Sequence, residues 1–357
     1  MSKDVIYIDR GNNKFMVKKK SLKNCWWQAA RYHFVPPSIF PVCIGAIVSW
    51  ATEDLFSIWY FFLVLIAVII NHIALNMTDD YYDYKYSVDQ LSPGEKNPYT
   101  GGSGTLTSGI IKPQSMFGVF FILYIIAIII GIYLVFMKGN VVLIFGLIGI
   151  FSSFFYTAPP IKFSHYGFGE VVMLLNFGII LGLGSFYIQS QSISLEAFFA
   201  TLPCGIMLFS MIIINEIPDI EEDKRAGKFT LVARFGVDFG IRLYVISWAA
   251  TYLCIIIGII FLILPYITLI SILSIPLTYR SIKILRKNYQ DPKKIAPANL
   301  DMIRSHSITC ILIIISYFIS GYFNSSDVFN LIGFVIIFGI LYLPAAISIF
   351  GSIEKKN

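Results

Sequence analysis

The stretch that decides the fold is LFSIWYFFLVLIAVIINHIALNMTDDYYDYKYSVDQ, which runs from Leu55 to Gln90. Its first part, Leu55 to Asn76, contains no Asp, Glu, Lys or Arg. A helix needs about 20 apolar residues to cross a hydrocarbon core of about 30 Å, so this run is long enough to span a membrane. Four aspartates follow directly: Asp79, Asp80, Asp83 and Asp89. The chain therefore places carboxylates at the point where a membrane-spanning helix reaches water.

The composition extends this interpretation to the whole chain. Hydrophobic residues make up 57% of the 357 positions, charged residues make up 13%, and the mean hydropathy is +0.74. Soluble domains carry about 25% charged residues. Backbone polar groups must be satisfied internally in lipid, and the apolar runs do not alternate as barrel strands do, so helices are predicted. We predict an all-α fold, a polytopic transmembrane helical bundle of nine to ten spans, with ten favoured.

The ten predicted spans are separated by polar segments. They are Pro36 to Ala51, Leu55 to Asn76, Ser115 to Phe136, Val141 to Tyr156, Gly169 to Ile188, Leu195 to Asn215, Leu243 to Leu264, Pro265 to Tyr279, Ser307 to Tyr322 and Val328 to Phe350.

The distribution of lysine and arginine supports ten spans. With ten spans, every lysine and arginine except Lys138 falls on one side of the membrane. Positive residues stay on the cytoplasmic side, so both termini and the long polar loops are predicted to be cytoplasmic. We divide the chain into a basic N-terminal segment (1–34), a transmembrane core (35–285) and a basic C-terminal loop with additional spans (286–357).

The same distribution limits the partners that we expect. The net charge of +6 describes a basic rim against anionic lipid, and it does not indicate a nucleic-acid surface. Five cysteines and four histidines are scattered without zinc or redox spacing. We expect an integral protein of a prokaryotic cytoplasmic membrane, in contact with the lipid bilayer and without an obligatory protein partner.

The first acidic segment has a helical spacing. Asn76, Asp79, Asp80 and Asp83 stand at i, i+3, i+4 and i+7, so they share one face if the second span continues as a helix. Carboxylates this close repel each other unless a cation holds them. Hard oxygen ligands suit Mg²⁺. The alternative is a solvated acidic loop.

A second acidic segment, NEIPDIEEDKRAGKFTLVARFG, runs from Asn215 to Gly236. Asn215, Asp219 and Asp223 stand at i, i+4 and i+8, so a helix would again place an amide and two carboxylates on one face. Both acidic segments lie at the predicted cytoplasmic ends of spans. We therefore expect them to face each other and to hold Mg²⁺ ions whose other ligands are water or phosphate.

Features that suit phosphate follow each acidic segment. The loop TGGSGTLTSG, Thr100 to Gly109, is glycine-rich, which lets backbone amides approach an anion. A flexible connector would have the same composition. Four cations follow the second segment: Lys224, Arg225, Lys228 and Arg234.

These two acidic segments resemble the paired aspartate motifs of the UbiA superfamily of intramembrane aromatic prenyltransferases. The five-residue gap between Asp83 and Asp89 is similar to that of the menaquinone-pathway branch, which uses 1,4-dihydroxy-2-naphthoate. The segments Arg31 to Gly45 and Tyr156 to Glu170 also resemble this branch. The resemblance covers about Arg31 to Leu285. Three positions depart from the family pattern: Asp79, Tyr32 and Pro218 stand where Asn, Pro and Arg are common.

The resemblance implies Mg²⁺-dependent transfer of a polyprenyl group from polyprenyl diphosphate to an aromatic acceptor. It implies that the catalytic residues, which also hold Mg²⁺, are Asp80, Asp83, Asp219 and Asp223, with Asp79 as a further ligand. The residues expected to contact diphosphate are Arg31, Lys162, Lys224, Lys228 and Arg234. The residues expected to support the motifs are Asn76, Asp79, Asp89 and Asn215.

Two alternatives remain open at the level of sequence. Another branch of the family would use 4-hydroxybenzoate, a haem, a chlorophyll-type ring or an archaeal lipid as acceptor. A secondary transporter would use membrane carboxylates for ion coupling, but transporters place them near the bilayer midplane in broken helices. Here the carboxylates cluster at span ends beside cations.

Overall fold

The protein is a bundle of long apolar helices. The computed structural model describes residues 5–10, 13–18, 22–88, 99 and 101–322. The helices in these residues are α1 (Leu22–Ala29), α2 (Pro36–Glu53), α3 (Ile58–Lys85), α4 (Pro113–Lys138), α5 (Asn140–Phe154), α6 (Gly169–Leu175), α7 (Leu181–Ser190), α8 (Leu195–Glu216), α9 (Ile220–Arg225), α10 (Leu231–Phe235), α11 (Val237–Ile260), α12 (Ile275–Asn288) and α13 (Pro292–Tyr322).

Shorter elements lie between and before these helices. A π-helical turn, Asn176–Ile180, joins α6 to α7, and a 3₁₀ segment, Tyr266–Ser274, leads into α12. Strands β1 (Val5–Arg10) and β2 (Asn13–Lys18) pair antiparallel, with Val5 opposite Lys18. The sequence analysis treated this region as a basic segment and did not anticipate the hairpin.

The described residues include seven helices that are long and apolar enough to cross a membrane, or eight if the bent pair Cys25–Phe34 and Pro36–Glu53 counts as one span. Helix α5 is apolar but shorter, at 15 residues. Each of the first nine predicted spans coincides with a helix or a helix pair of the bundle. The tenth, Val328 to Phe350, lies outside the described residues, so the exact count of spans stays a prediction.

Helices α2 and α8 form the centre of the bundle, while α4 and α5 are peripheral. All residues of α2 from Pro36 to Trp50 are buried. Few side chains of α4 and α5 are fully buried, as expected for helices that face lipid.

Glycine allows a close crossing between α8 and the π-helical turn. A Cβ atom built on Gly205 of α8 would lie 2.7 Å from the backbone nitrogen of Gly178, which belongs to the π-helical turn. Small residues permit such backbone contacts in membrane bundles. This contact fixes the turn against α8, and the neighbouring Phe177 lines the cavity described next.

Candidate active site

Both aspartate motifs line one cavity at the polar end of the bundle. The cavity has a volume of about 190 Å³. Eight of the residues predicted from the sequence line it: Arg31, Asn76, Asp79, Asp83, Asn215, Asp219, Asp223 and Lys228. Residues far apart in the sequence, on α3 and around α8 and α9, therefore share one site.

The two motifs are built differently. Helix α3 continues past the apolar run to Lys85, so Asn76, Asp79 and Asp83 project from one helix as expected. The second motif is not on a continuous helix, because α8 ends at Glu216 and α9 begins at Ile220. Pro218 lacks the N–H group that would continue the helical hydrogen bonds, and the break falls at this residue. The expectation of one helical face was wrong here, although the motif residues still line the cavity.

Arg31 is bound to the first motif. Its Nη1 atom lies 3.2 Å from Asp79 Oδ2 and 3.7 Å from Asp80 Oδ1. Thr157 Oγ1 donates a hydrogen bond of 2.6 Å to the other oxygen of Asp79. Arg31 also lines the cavity, so its guanidinium group is positioned between the motif and any anion that enters.

The glycine-rich loop folds over the first motif. Asp80 is 3% exposed, and its Oδ1 atom accepts a hydrogen bond of 3.0 Å from the backbone N–H of Ser103. Gly101 and Gly102 line the cavity, and Gly101 has a φ of 77°, which favours glycine. Asp80 itself is not among the lining residues. The loop therefore hydrogen-bonds to a carboxylate of the first motif, and its glycines contribute to the cavity lining.

Lys228 connects the two motifs. It follows the second motif in sequence, yet its Nζ atom lies 3.1 Å from Asp83 Oδ2 of the first motif. Burial lowers the pKa of Lys228, but the charges of Asp83, Asp223 and Asp79 outweigh burial and raise this pKa well above its ordinary value. Lys228 is therefore protonated at neutral pH and lies among carboxylates in the cavity wall.

The remaining predicted cations are placed away from the lining. Lys162 Nζ lies 3.6 Å from the centroid of the Tyr86 ring, and Arg234 Nε donates a hydrogen bond of 3.0 Å to the carbonyl of Phe229. Lys224 is exposed on α9. Asp89 lies outside the described residues. The roles predicted for these four residues stay predictions.

Buried acidic residues also line the cavity, and the sequence analysis did not select them. Glu170 is 1% exposed, and its Oε1 atom accepts a hydrogen bond of 2.6 Å from the backbone N–H of Leu231 at the start of α10. Glu216 lines the same cavity. Glu170 belongs to neither motif, and Glu216 falls outside the repeat of Asn215, Asp219 and Asp223, so spacing could not reveal them. This hydrogen bond holds the segment that follows Lys228 against the start of α6.

The deeper wall of the cavity is apolar and aromatic. Phe177, Leu208 and Met211 line it, together with His72 of α3. The ring centroids of His72 and Phe177 lie 5.4 Å apart in an edge-to-face arrangement. One cavity thus combines a charged rim, formed by the motif aspartates with Arg31 and Lys228, with an apolar interior.

The oxygen ligands of the rim suit Mg²⁺ when substrate completes the coordination. In the part of the chain that the structure describes, no group of three or more His, Cys, Asp or Glu side chains is arranged to hold a metal ion. Mg²⁺ commonly uses one or two carboxylates and takes its other ligands from water and phosphate. The separated carboxylates of the two motifs fit this kind of site better than a closed protein cage.

The fold and the site define a membrane-embedded enzyme for a substrate with an anionic head and an apolar body. The model of the UbiA prenyltransferase family matches residues 38–303, which is most of the chain. The chain belongs to the UbiA prenyltransferase family and is a multi-pass integral membrane protein.

Curated relatives and solved structures agree with this assignment. The chain is 27% identical to 1,4-dihydroxy-2-naphthoate octaprenyltransferase of Bacillus subtilis, over 69% of this chain and 76% of the relative. It is 23% identical to 2-carboxy-1,4-naphthoquinone phytyltransferase of Synechocystis, over 83% of this chain and 93% of the relative. A UbiA homologue from Archaeoglobus fulgidus, solved bound to GPP and Mg²⁺, has the same fold, with a TM-score of 0.58 and 17% identity over 84% of this chain and 99% of the other.

Proposed function

We propose that this chain transfers a polyprenyl group from a polyprenyl diphosphate to 1,4-dihydroxy-2-naphthoate in a Mg²⁺-dependent reaction. The observation that carries the proposal is the single cavity in which both aspartate motifs face Arg31 and Lys228 above an apolar interior. A diphosphate with an apolar chain and a flat aromatic acceptor match these two environments.

The charged rim provides the binding site for the diphosphate. Asp79, Asp83, Asp219 and Asp223 would hold Mg²⁺, which neutralises diphosphate oxygens and so makes the diphosphate a better leaving group. Lys228 and Arg31 carry charges that can bind the remaining oxygens. Because both cations are already held by aspartates, they are positioned before substrate enters.

The apolar interior provides the place for the carbon chemistry. The allylic C–O bond of the donor breaks, diphosphate leaves with the electron pair, and an electron-rich ring carbon forms the new C–C bond to the allylic carbon. The ring carboxylate then leaves as CO₂ and returns its bonding pair to the ring, so prenyl replaces carboxylate. Walls such as Phe177, Leu208 and Met211 exclude water, which would otherwise capture the allylic cation.

The acceptor is inferred from two independent features. The relatives from Bacillus subtilis and Synechocystis are named for different prenyl groups, but both names specify a carboxylated naphthalene ring system. The five-residue gap between Asp83 and Asp89 resembles the same branch. The site would open to the cytoplasm of a prokaryotic cell, because the basic loops flank it.

A competition assay tests the proposal. Protein purified in detergent is incubated with Mg²⁺, a labelled polyprenyl diphosphate and equal amounts of 1,4-dihydroxy-2-naphthoate and 4-hydroxybenzoate. We expect prenylated naphthalene product with release of CO₂, and little prenylated benzoate. A preference for 4-hydroxybenzoate would show that the acceptor assignment is wrong, while absence of any prenylated product would contradict prenyl transfer itself.

A further inference from the structure

Helix α13 lies alongside α8, the helix that leads into the second aspartate motif. The sequence predicted a transmembrane core that ends at Leu285, before α13 begins. Three pairs of side chains nevertheless join the two helices in one antiparallel register: Glu196 with Tyr317, Cys204 with Cys310, and Asn215 with Asn299. Helix α13 therefore contacts α8 from its first turn to its last.

The third pair reaches the active site. Asn215 begins the second motif and lines the active-site cavity. Asn299 is 1% exposed and is not among the lining residues. Its Nδ2 atom donates a hydrogen bond of 2.6 Å to Asn215 Oδ1. Asn299 thus contacts a residue of the cavity wall without lining the cavity itself.

The turn of α13 that carries Asn299 is itself held by neighbouring helices. The carbonyl of Ala298 accepts a hydrogen bond of 2.9 Å from Ser281 Oγ of α12. The same Ser281 hydroxyl lies 2.6 Å from the hydroxyl of Tyr244 on α11. A side chain on an element fixed in this way can hold a partner in one orientation.

The hydrogen bond selects one orientation of the Asn215 amide. An asparagine amide accepts through its oxygen and donates through its nitrogen, which carries two N–H groups. Because Asn299 engages the oxygen of Asn215, the nitrogen is the amide atom left for the cavity. N–H groups suit an anion such as diphosphate, whereas an amide oxygen would suit a hard cation.

We propose that Asn299 is a positioning residue, which holds the amide oxygen of Asn215 and so turns the amide nitrogen of Asn215 toward the diphosphate of the donor. This inference rests on the proposed function. It makes α13 part of the catalytic unit, although Asn299 itself does not touch substrate. At metal sites, removing a residue that orients a ligand costs about 10- to 100-fold in affinity or activity.

Two variants remove the donor with opposite changes in volume: Asn299→Ala leaves space, and Asn299→Leu fills it. The matched control is Ser305→Ala, also on α13, where the hydroxyl is 0% exposed, lies 2.8 Å from Thr278 Oγ1 and does not line the cavity. Each variant is made in the wild-type protein and in Asn215→Ala. The measurements are kcat/KM for a polyprenyl diphosphate, KM for the aromatic acceptor and the melting temperature.

We expect both Asn299 variants to lower kcat/KM for the polyprenyl diphosphate at least about tenfold, with KM for the acceptor unchanged. Ser305→Ala should stay near the wild-type value. In the Asn215→Ala background, Asn299→Ala should cause no further loss, because Asn299 acts through Asn215. Wild-type kinetics in either Asn299 variant, an equal loss in both backgrounds, or failure of both Asn299 variants to fold would overturn the inference.

A binding measurement separates this inference from the proposed function. The Kd of geranyl diphosphate with Mg²⁺ is measured by calorimetry on the same proteins. We expect about tenfold weaker binding in Asn299→Ala and no further weakening when this change is added to Asn215→Ala. If the wild-type protein forms no prenylated product, the proposed function fails and the calorimetric comparison decides the inference. A wild-type protein that binds no geranyl diphosphate would overturn both.

Discussion

At the scale of residues, the two cations of the cavity lining, Arg31 and Lys228, are each paired with a carboxylate of the first motif before substrate binds. Asp83 is 6% exposed and depends on Lys228 for its ion pair, and Asp79 is held by Arg31 and Thr157. Removing one member of a buried pair leaves the other charge uncompensated, which is costly. A diphosphate with Mg²⁺ can replace these contacts because it brings both signs of charge.

We therefore expect Lys228 to pair with Asp83 before substrate binds and with the diphosphate afterwards. We predict that Lys228→Met lowers turnover by roughly 10²-fold, the loss seen when one preorganised donor to a developing anion is removed. Lys228→Arg should retain more activity because it keeps the charge. Steady-state kinetics with a prenyl diphosphate measure this.

Lys287→Met is the matched control, because Lys287 is exposed near the end of α12 and lies outside the cavity lining. Its turnover should stay close to that of the wild-type protein. Normal turnover in Lys228→Met, or an equal loss in Lys287→Met, would contradict the role assigned to Lys228.

Both motifs are expected to be needed for one diphosphate. We predict that Asp83→Ala and Asp219→Ala each abolish turnover while the protein remains inserted and folded, and that EDTA does so reversibly. Asp291→Ala is the control, since Asp291 is paired with Lys294 at the start of α13 and does not line the cavity. Substantial turnover in either motif variant, or with chelator present, would contradict shared metal binding.

At the scale of elements, the sequence predicted what depends on local pattern. Apolar run length located the helices or helix pairs that coincide with the first nine predicted spans, and the repeat from Asn76 to Asp83 required α3 to continue to Lys85. The break after Glu216 could have been anticipated from Pro218, but the motif spacing suggested a continuous helix. The π-helical turn and the role of Glu170 depend on packing and on a contact with Leu231, 61 residues away. Such distant contacts leave no periodic signal in one sequence.

The crossing of α8 with the π-helical turn gives a prediction at this scale. In Gly205→Leu the new side chain would meet the backbone of Gly178, so the turn has to move away from α8. Overpacking of this kind costs about 1–3 kcal/mol in the free energy of unfolding. We predict a lower melting temperature in detergent and reduced activity, because the displaced turn carries Phe177.

Gly118→Leu, on α4, is the comparison, since an added Cβ atom there meets no atom within 4 Å. Its melting temperature should remain near that of the wild-type protein. If Gly205→Leu melts at the wild-type temperature, the close approach of the two backbones does not hold in the protein.

At the scale of the whole molecule, the number of crossings decides on which side the ends of the chain lie. Helix α5, at 15 residues, spans only about 22 Å. A single residue, Gly139, separates it from α4, and the ten-span prediction requires α5 to lead back across the bilayer. Lys138, at the end of α4, is then the one lysine or arginine assigned to the far side. The charge distribution and the short helix thus support the same arrangement.

The last prediction concerns the segment after α13. Nine crossings would leave Tyr322 on the side opposite the lysine-rich N-terminus, and a tenth, Val328 to Phe350, would return the chain to it. We predict that a reporter fused after Lys356 reads cytoplasmic, whereas the same reporter fused directly after Tyr322 reads external. A fluorescent protein and a phosphatase, active on opposite sides of the membrane, provide independent readings of each fusion. If both fusions read external, Val328 to Phe350 does not cross the membrane. If the fusion after Tyr322 reads cytoplasmic and the fusion after Lys356 reads external, one of the nine earlier segments does not cross, and α5 is the first to test because it is the shortest.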